Sequence, residues 1–276
     1  MTLLIDGVAL VTGAGSGIGR ECCLAYAAEG ARAVVLADIN PQAALEVAHE
    51  SEAKARHPDY KAIALAVDVS DAESVKAMVR SVVDACGRID YLVNSAGVGV
   101  QKPLPMEDAD LDEINRFWKV NVLGTLHCMQ AVTKVMKNQS VRTWDSRGRV
   151  REAGRGVILN LGSCNSYVPT PNIVQYTTSK HAVLGMTRNA ALENAAHGIR
   201  VNAICPGWVE TPMVDLALAG DPSLLQMMKT IIPMGRIAKP DEIADVVLFM
   251  TSPRSSYVTG VGWLVDGGTT LQVQTC

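Results

Sequence analysis

An apolar run followed at once by a cluster of glycines constrains the fold of this chain more than any other feature. Residues 8–12 read Val-Ala-Leu-Val-Thr, residues 13–19 contain four glycines, and an amphipathic stretch covers residues 20–29. This order predicts a buried strand, a tight turn and the N-terminus of a helix. Glycines in such a turn allow positive φ and let the backbone approach a pyrophosphate, which the helix dipole favours. Taken alone, the turn could also be a flexible loop.

Two further apolar runs end in acidic residues. Residues 33–37 lead into Asp38, about twenty residues beyond the last glycine, where a Rossmann unit places the carboxylate that meets the adenosine ribose. Residues 62–67 lead into Asp68 and Val69, which suit the adenine edge. Asp38 could also serve as the N-cap of a helix that begins at Pro41. With the turn and both strands in register, the pattern favours nucleotide binding.

Strand-like runs alternate with helical patterns along the rest of the chain. Helical periodicity covers residues 71–86, 111–137 and 172–197, and strand-like runs end near positions 94, 162, 205 and 265. This alternation predicts a single α/β domain over residues 1–276, with a doubly wound parallel sheet of the Rossmann type. Apolar residues make up 48% of the chain and aromatic residues only 4%, as expected of a parallel sheet with an aliphatic core.

Tyr176 and Lys180 are four residues apart, so a helix places both on one face. An ammonium group beside a phenol favours the phenolate, and we expect Lys180 to lower the pKa of Tyr176 toward neutrality. Tyr176 is then a candidate general base, or acid in the reverse direction. Ser163 follows the strand at residues 157–161, so its hydroxyl should emerge at the rim and hold a substrate oxygen. The same spacing also occurs in ordinary packed helices.

Together these segments resemble the short-chain dehydrogenase/reductase family over nearly the whole chain. Thr12-Gly13-x-x-x-Gly17-x-Gly19 matches its cofactor turn, and Asn94-Ser95-Ala96-Gly97 resembles its Asn-Asn-Ala-Gly segment, with Ser95 in place of the second Asn. The resemblance implies a catalytic tetrad of Asn121, Ser163, Tyr176 and Lys180. It implies cofactor contacts from Gly13, Ser16, Gly17, Ile18, Gly19, Asp38, Asp68, Val69, Asn94, Ala96, Gly97, Tyr176, Lys180, Pro206, Gly207, Val209 and Thr211.

The resemblance also implies roles for two of these residues. Lys180 is expected to bond the nicotinamide ribose. Asn121 lies within a helical pattern, where Asn is a poor helix former, and the family's arrangement is a helix irregularity that holds a water linking Lys180 to solvent. An exposed Asn in the middle of a helix is the alternative. We further expect NAD rather than NADP, because Asp38 would repel a 2′-phosphate and neither Ser16 nor Ile39 offers a positive charge.

The predicted activity is oxidoreduction of a secondary alcohol or ketone. Residues 208–235 resemble the family's substrate loop, and their wide set of apolar side chains favours a neutral, bulky terpenoid, steroid or polyketide ring. About half of that set could be ordinary helix core. Apart from Lys180, no Arg or Lys is evident near the site to anchor an acid. The predicted walls are Val100, Cys164, Tyr167, Trp208 and Met213.

Other functions remain open on the sequence alone. A sugar or 3-oxoacyl-thioester dehydrogenase of the same family is one alternative, and a non-redox lyase or isomerase is another. A cofactor-binding scaffold without catalysis is a third, although it would not need Ser163, Tyr176 and Lys180 together. The net charge of −3 and the pI near 6.0 argue against a nucleic-acid partner.

Cysteines and histidines give no sign of a metal site or of a disulfide framework. The seven cysteines form no CxxC pattern, and the five histidines lack metal-ligand spacing. Reduced thiols indicate a reducing compartment, and we expect a cytoplasmic protein. Residues 3–5 are too short for a signal sequence, and the longest uncharged stretch, residues 156–179, is too polar to span a membrane.

The remaining irregularity is the segment of residues 138–155. It contains five arginines among acidic residues and glycines, and it lacks apolar periodicity. We expect an extended solvated loop at the sheet edge opposite the chemistry, with a partner-binding patch as the alternative. A homotetramer is expected by resemblance, through the long helical stretches at 111–137 and 172–197 and through residues 260–268.

Overall fold

Seven parallel strands form the central sheet of the computed structural model, which describes residue 3, residues 5–220 and residues 223–271. The seven strands are β1 Val8–Thr12, β2 Ala33–Asp38, β3 Lys61–Ala66, β4 Tyr91–Asn94, β7 Gly156–Leu161, β8 Ile199–Pro206 and β9 Gly262–Val265. Strands β5 Arg142–Asp145 and β6 Val150–Gly154 form a separate two-stranded sheet. The order across the central sheet is β3-β2-β1-β4-β7-β8-β9. The predicted doubly wound α/β fold is confirmed, with β4 as the middle strand and β1 beside it.

Helices cover both faces of this sheet. They are α1 Gly17–Ala28, α2 Pro41–Lys54, α3 Ala72–Cys86, α4 Leu111–Phe117, α5 Thr125–Lys137, α6 Val174–Asn194, α7 Pro212–Gly220, α8 Ser223–Ile231 and α9 Pro240–Thr251. Ala9 and Val11 of β1 join the core beneath α1, α2 and α9, while Val8 and Leu10 join the core beneath α3 and α5. Because side chains alternate across a strand, a strand buried on both faces must be apolar throughout.

The segment predicted as one helix at residues 111–137 is interrupted. A π-helical turn, Trp118–Gly124, separates α4 from α5. Asn121 lies inside this turn and is buried. The structure therefore has the helix irregularity that the family resemblance implied, and the alternative of an exposed mid-helix Asn is wrong. Turns of this kind are frequent at functional sites.

The prediction of an extended loop at residues 138–155 is wrong. Antiparallel strands β5 and β6 form a hairpin, whose inward positions on β5 are Arg142 and Trp144. A half-buried strand is recognised in a sequence by alternating apolar and polar residues. Because the inward positions here are an arginine and a tryptophan and not aliphatic residues, the sequence did not indicate a strand. Arg155 N–H donates to the Gly198 carbonyl, 2.7 Å away, just before β8 begins. The hairpin thus lies at the amino edge of the sheet, opposite the carboxyl ends of the strands, as expected.

Strands β1, β2, β4, β7 and β8 all end at the same edge of the sheet. From β1 the chain continues to β2 and β3 on one side of the sheet, and β4 and β7 lie on the other side. The carboxyl end of β1 is therefore the topological switch point, where open α/β sheets bind their ligands. Within the described residues, no helix is long and apolar enough to cross a membrane.

Candidate active site

The glycine turn after β1 is packed too tightly for side chains. Gly13 has a φ of 67°, and a Cβ there would lie 2.7 Å from the Ala96 backbone nitrogen. A Cβ on Gly19 would lie 2.1 Å from the Gly13 carbonyl oxygen. Gly17 has a φ of 53° and faces the Thr211 methyl group, 3.3 Å from its hypothetical Cβ. The turn therefore needs glycine, and it brings the start of α1 against the segment that follows β8.

The first turn of α1 offers free donors. Ser16 is its N-cap residue, with extended backbone at φ −158° and ψ 170°, and its exposed hydroxyl makes no capping hydrogen bond. Ile18 packs behind it against the core. The first turn of α1 contains no acidic residue. Its N–H groups and the Ser16 hydroxyl are arranged as a binding site for an anion such as a pyrophosphate.

Asp38 ends β2 beside this turn. Its Oδ2 accepts a hydrogen bond from the Gly15 N–H at 2.8 Å, and its Oδ1 accepts one from the Asn40 N–H at 2.9 Å. The N-cap of α2 is Asn40, whose side chain accepts from the N–H groups of Gln42 and Ala43. The alternative role of Asp38 as the helix cap is therefore wrong. Its carboxylate is fixed at the glycine turn.

The segment after β3 is held from two directions. Asp68 is exposed, and its Oδ1 accepts hydrogen bonds from the backbone N–H and the hydroxyl of Ser70, at 2.9 and 2.7 Å. The Val69 carbonyl lies 3.0 Å from His127 Nδ1 on α5. A Cβ on Gly124 would lie 2.7 Å from the Val69 side chain. No pattern in the sequence indicated that His127 and Gly124 would hold this segment in place.

The segment after β4 passes directly over the glycine turn. Asn94 is buried at the end of β4, and its Nδ2 donates to Asn160 Oδ1 at 2.8 Å. Ala96 N–H donates to the Thr12 hydroxyl at 3.3 Å. A Cβ on Gly97 would lie 3.2 Å from Asn121 Oδ1. These contacts align the Asn-Ser-Ala-Gly segment between β1 and the π-helical turn.

Asn121 joins three elements of the site. Its Oδ1 accepts a hydrogen bond from the Val98 N–H at 2.8 Å, and its Nδ2 donates to the Val98 carbonyl and to Ser179 Oγ, both at 3.3 Å. Its backbone carbonyl accepts from the Thr125 hydroxyl at 2.8 Å. The side chain thus fastens the segment after β4 to α6, one residue before Lys180.

Ser163, Tyr176 and Lys180 come together at the end of β7. Ser163 is buried and caps a short 3₁₀ turn, and its Oγ accepts from the Asn165 N–H at 3.1 Å. Tyr176 is half-buried on the first turn of α6. Lys180 lies one turn further along, where its Nζ donates to the Leu161 carbonyl at 2.8 Å. The predicted spacing therefore places the phenol and the ammonium on the same side of α6.

Burial dominates the ionisation of this pair. It raises the pKa of Tyr176 to about 12, and hydrogen bonding from Ser163 only partly offsets that rise. It also lowers the pKa of Lys180 to about 8. The prediction that Lys180 brings the pKa of Tyr176 toward neutrality is wrong for this arrangement. The Tyr176 hydroxyl is protonated at neutral pH and can donate its proton.

Two neighbours of Tyr176 were not anticipated. The Phe117 ring meets the Tyr176 ring edge-on, with centroids 6.1 Å apart. Arg116 lies over Phe117 and donates to the Gly99 carbonyl at 2.9 Å, while Glu113 binds its guanidinium at 2.7 Å. Lys180 is therefore not the only cation near the site, but Arg116 is already paired. The Glu–x–x–Arg spacing on a helix is the signal that could have revealed this pair.

The segment after β8 closes the far side of the site. Pro206 ends β8, and Gly207 N–H donates to the Val265 carbonyl at 3.0 Å. A Cβ on Gly207 would lie 3.0 Å from the Asp266 Cα atom. Val209 is buried, and its carbonyl accepts from the Thr211 hydroxyl at 3.3 Å. Thr211 is thereby presented to Gly17.

Cys164 and Met213, two of the predicted walls, lie beside Ser163 and against the segment after β4, respectively. Cys164 Sγ is half-buried and 3.8 Å from Ser163 Oγ, and burial raises the pKa of this thiol, so it stays protonated at neutral pH. The Met213 side chain packs onto Gly99, with its Cγ 2.6 Å from a hypothetical Cβ there. Val100, also proposed as a wall, is half-buried beside Gly99.

Tyr167 and Trp208 stay predicted walls, and both make contacts within the protein. The Tyr167 hydroxyl donates to the Gly262 carbonyl at 2.7 Å, and its ring faces Arg188. This hydroxyl is thus used at the edge strand β9 and is not free for a substrate. Trp208 packs with the apolar cluster of the substrate loop, beside Val214.

The apolar residues of the substrate loop divide into two groups. Met228 and Ile232 are buried in the loop's own core, with exposures of 0% and 4%, as the helix-core alternative requires. A second group retains large exposed surfaces: Met213, Leu216, Met227 and Met234. Such an exposed set is wider than one buried stripe needs.

The residues present fit a dinucleotide. The glycine turn has no room for a Cβ, Ser16 keeps a free hydroxyl at a helix N-terminus, and Asp38 is held at the end of β2. These are the elements that hold a pyrophosphate and a ribose in a Rossmann unit. Within the described part of the chain, no group of three or more His, Cys, Asp and Glu side chains could hold a metal ion.

Comparison with known proteins agrees with this geometry. The model of a protein family described as enoyl-(acyl carrier protein) reductase matches residues 13–270. The chain is 66% identical to the short-chain dehydrogenase anuF of Penicillium roqueforti (strain FM164) over 276 residues, which is 100% of both chains.

The chain belongs to the short-chain dehydrogenase/reductase family. It is therefore an oxidoreductase that acts on CH–OH groups with a nicotinamide cofactor. Two solved members of the family have the same fold at 32% identity. Levodione reductase superposes with a TM-score of 0.87, covering 98% of this chain and 99% of that one. A 7α-hydroxysteroid dehydrogenase complexed with NADH and 7-oxo glycochenodeoxycholic acid superposes with a TM-score of 0.83, covering 97% and 96%.

Proposed function

We propose that this short-chain dehydrogenase interconverts a secondary alcohol and a ketone on a neutral, bulky, largely apolar ring compound, with NAD as the preferred cofactor. One observation carries the proposal. Ser163 and Tyr176 lie at the carboxyl edge of the sheet, and the substrate loop that follows β8 keeps exposed apolar side chains, among them Met213, which packs onto Gly99. The nearby guanidinium of Arg116 is neutralised by Glu113. Arg116 therefore offers a carboxylated or phosphorylated substrate no free guanidinium.

The side chains divide the chemistry at the substrate oxygen. Tyr176 donates a proton to a ketone oxygen, and in the reverse direction its phenolate form takes the proton of an alcohol. Ser163 orients that oxygen by a hydrogen bond, and its own hydroxyl is aimed by the N–H of Asn165. Lys180 would hold the ribose, and Asn121 keeps α6 in register with the segment after β4. A bound nicotinamide supplies the hydride acceptor or donor.

The preference for NAD is supported by the end of β2. A 2′-phosphate would meet the Asp38 carboxylate, which the Gly15 and Asn40 N–H groups hold in place. The next side chain, Ile39, is 74% exposed and carries no charge. The 7α-hydroxysteroid dehydrogenase with the same fold was solved with NADH. Repulsion between like charges, which the uncharged Ile39 does not offset, disfavours NADP.

The substrate class is supported by the exposed apolar residues of the substrate loop and by the names of two relatives. Levodione reductase and the 7α-hydroxysteroid dehydrogenase are both named for ring compounds. Methionine side chains such as Met213 and Met227 adapt to irregular apolar shapes. A sugar would instead require several fixed polar partners around its hydroxyl groups.

A homotetramer in the cytoplasm completes the proposal. Leu111 and Trp118 near α4 and Leu192 on α6 are exposed, with 72%, 45% and 82% of their surfaces accessible. Trp263 on the edge strand β9 is 41% exposed, which suits a second interface. Six cysteines within the described residues are free thiols, as a reducing compartment favours. The mass in solution at micromolar concentration tests the assembly, and a monomer would refute it.

Change in nicotinamide absorbance tests the activity. The purified protein is supplied with NAD and, separately, with a cyclic apolar alcohol, a sugar and a 3-hydroxyacyl thioester. The reverse direction uses NADH with a cyclic ketone, acetoacetyl thioester and crotonyl thioester. The crotonyl thioester is included because the matching family is described as enoyl-(acyl carrier protein) reductase. We expect the highest kcat/KM with the cyclic apolar pair. A higher kcat/KM with a sugar or a thioester would refute the substrate class, and no turnover with any compound would favour a scaffold.

A further inference from the structure

Asn165 lies between Ser163 and the start of α6, and the chemistry proposed above gives its side chain no role. The residue is buried in the short 3₁₀ turn Cys164–Ser166, which Ser163 caps. Its backbone N–H donates to Ser163 Oγ at 3.1 Å. The position of Asn165 therefore sets the direction of the hydroxyl that is to orient the substrate oxygen.

The Asn165 carboxamide is hydrogen-bonded within the protein through both of its polar atoms. Its Nδ2 donates to Thr170 Oγ1 at 2.8 Å and to Thr177 Oγ1 at 3.3 Å, and its Oδ1 accepts from the Cys164 thiol at 3.6 Å. An amide nitrogen carries two hydrogens, so both donors are used. The side chain is thus held in one orientation, and its donors are not available to a substrate or a cofactor.

The contact with Thr177 joins the 3₁₀ turn to the first turn of α6. Thr177 directly follows Tyr176 in this helix. A second contact lies one turn further along, where Ser166 Oγ donates to the Lys180 carbonyl at 2.8 Å. The 3₁₀ turn is therefore attached to α6 at two points, and the Asn165 contact is the one made beside the Tyr176 position.

A substrate oxygen has to meet two hydroxyls that belong to different elements. Ser163 follows β7, whereas Tyr176 belongs to α6, so their separation depends on the contacts that join these elements. Proton transfer and orientation each require a distance of about 3 Å to the substrate oxygen. A displacement of about 1 Å can cost a hundredfold in rate. A link between the two elements at this point therefore bears directly on the rate.

We infer that Asn165 is a positioning residue, which holds Ser163 and Tyr176 at the spacing that a single substrate oxygen requires. Its N–H directs the Ser163 hydroxyl, and its amide ties the 3₁₀ turn to Thr177. The inference rests on the roles proposed for Ser163 and Tyr176, and it is independent of the substrate class and of the cofactor preference. Its effect should appear in the rate of hydride transfer and not in cofactor binding.

Thr177→Val tests the inference without altering Asn165, because valine keeps the shape of threonine and removes the acceptor. The enzyme–NAD complex is mixed with the alcohol that gives the highest kcat/KM, and nicotinamide absorbance follows a single turnover. We expect the rate of hydride transfer to fall about tenfold, with the dissociation constant of NAD unchanged. Thr177→Ser keeps the hydroxyl and should retain most of the wild-type rate.

Two other threonines provide matched controls. Thr178→Val makes the same change one residue further along α6, at an exposed hydroxyl that donates to the Val174 carbonyl. Thr170→Val removes the other acceptor of the Asn165 amide, but Thr170 is exposed and lies outside α6, so water can replace it. Both controls should keep the wild-type rate. A loss in Thr178→Val as large as that in Thr177→Val would indicate a general disturbance of α6 and would overturn the inference.

Asn165→Ala provides the measurement if Thr177→Val does not fold. It removes the amide and keeps the backbone N–H that donates to Ser163. We expect the rate of hydride transfer to fall at least about tenfold, again with unchanged binding of NAD. A wild-type rate in the folded Asn165→Ala protein would overturn the inference.

A Ser163→Ala background separates positioning from a general effect on packing. With no Ser163 hydroxyl to position, Thr177→Val should change the remaining rate less than about twofold. Equal losses with and without that hydroxyl, or an unchanged rate for Thr177→Val alone, would overturn the inference and leave the proposed function in place. If Ser163→Ala itself keeps the wild-type rate, or if no compound is turned over, the proposed role of Ser163 fails and the inference fails with it.

Discussion

The ammonium nitrogen of Lys180 lies 5.6 Å from the centre of the Tyr176 ring and donates its hydrogen bond to the Leu161 carbonyl, 2.8 Å away. The two groups share one side of α6, but the ammonium is turned to the end of β7 and not to the phenol oxygen. Burial, rather than mutual attraction, therefore sets both pKa values in this structure.

The lowered pKa of Lys180 should make stability depend on pH. Between pH 8 and 10.5, which are its folded and ordinary pKa values, the unfolded chain holds a proton that the folded chain lacks, so this group makes stability rise with pH. At pH 7 the burial of a charged Lys180 lowers the free energy of unfolding, and Lys180→Met avoids this loss. We therefore expect the variant's gain in unfolding free energy over wild type to shrink by about 2 kcal/mol between pH 7 and pH 10. Urea unfolding at one protein concentration measures it, and a difference independent of pH would contradict the lowered pKa.

Removal of the Tyr176 hydroxyl should stop proton transfer. Tyr176→Phe keeps the edge-on contact with Phe117, so the fold and the cofactor site should persist. We expect kcat to fall about a hundredfold or more, with the dissociation constant of the cofactor nearly unchanged. Steady-state rates and cofactor fluorescence titration give the two quantities. If Tyr176→Phe keeps wild-type turnover, and no slower step masks proton transfer, then Tyr176 is not the group that transfers the proton.

Asp38→Asn removes the charge of this residue and keeps one of its two structural contacts. The amide oxygen can still accept the Gly15 N–H, while the repulsion of a 2′-phosphate is lost. We expect the ratio of kcat/KM for NAD over NADP to fall about tenfold or more. Asp38→Ala is the comparison, because it loses both the charge and the hydrogen bond; it should also weaken the preference for NAD over NADP. A wild-type enzyme with equal or better efficiency on NADP would contradict the assigned preference.

The contact between Gly99 and Met213 should control access of bulky substrates. A Cβ on Gly99 would lie 2.6 Å from Met213 Cγ, so Gly99→Ala must displace the methionine. We expect kcat/KM for a cyclic substrate to fall about tenfold, without a change in cofactor affinity. The double variant Gly99→Ala, Met213→Ala removes the clash and should recover most of the loss. Additive losses in the double variant would show that the two residues do not interact in the enzyme.

Gly154 should be essential to the position of the hairpin. It has a φ of 89°, and a Cβ would lie 2.3 Å from the Gly198 carbonyl oxygen. Gly148, at the hairpin tip, has a φ of 76° and nothing within 4 Å of its hypothetical Cβ. Gly148→Ala should cost about 1 kcal/mol of unfolding free energy for its backbone conformation. Gly154→Ala should cost about 2 kcal/mol more, and equal losses would mean that the hairpin can move away from β8.

Local patterns were sufficient for the scaffold of the site. The strand before Gly13, the spacing to Asp38 and the four-residue step from Tyr176 to Lys180 each describe short-range backbone geometry. Such geometry depends on φ preferences and on side-chain periodicity, which neighbouring residues set. The parallel sheet and the helix irregularity at Asn121 were foreseen from these patterns and from the family resemblance.

Contacts between distant residues decided the rest. The hairpin depends on Arg142 meeting Asp6, 136 positions earlier in the chain, and no local pattern encodes that meeting. The pKa values of Tyr176 and Lys180 depend on how much water the folded chain excludes, and the pairing of Arg116 with Gly99 depends on where the segment after β4 lies. The sequence by itself determined the alternation of strands and helices and the chemical groups available. The tertiary structure decided which of those groups are buried, paired or free, because desolvation and long-range hydrogen bonds exist only once the chain has folded.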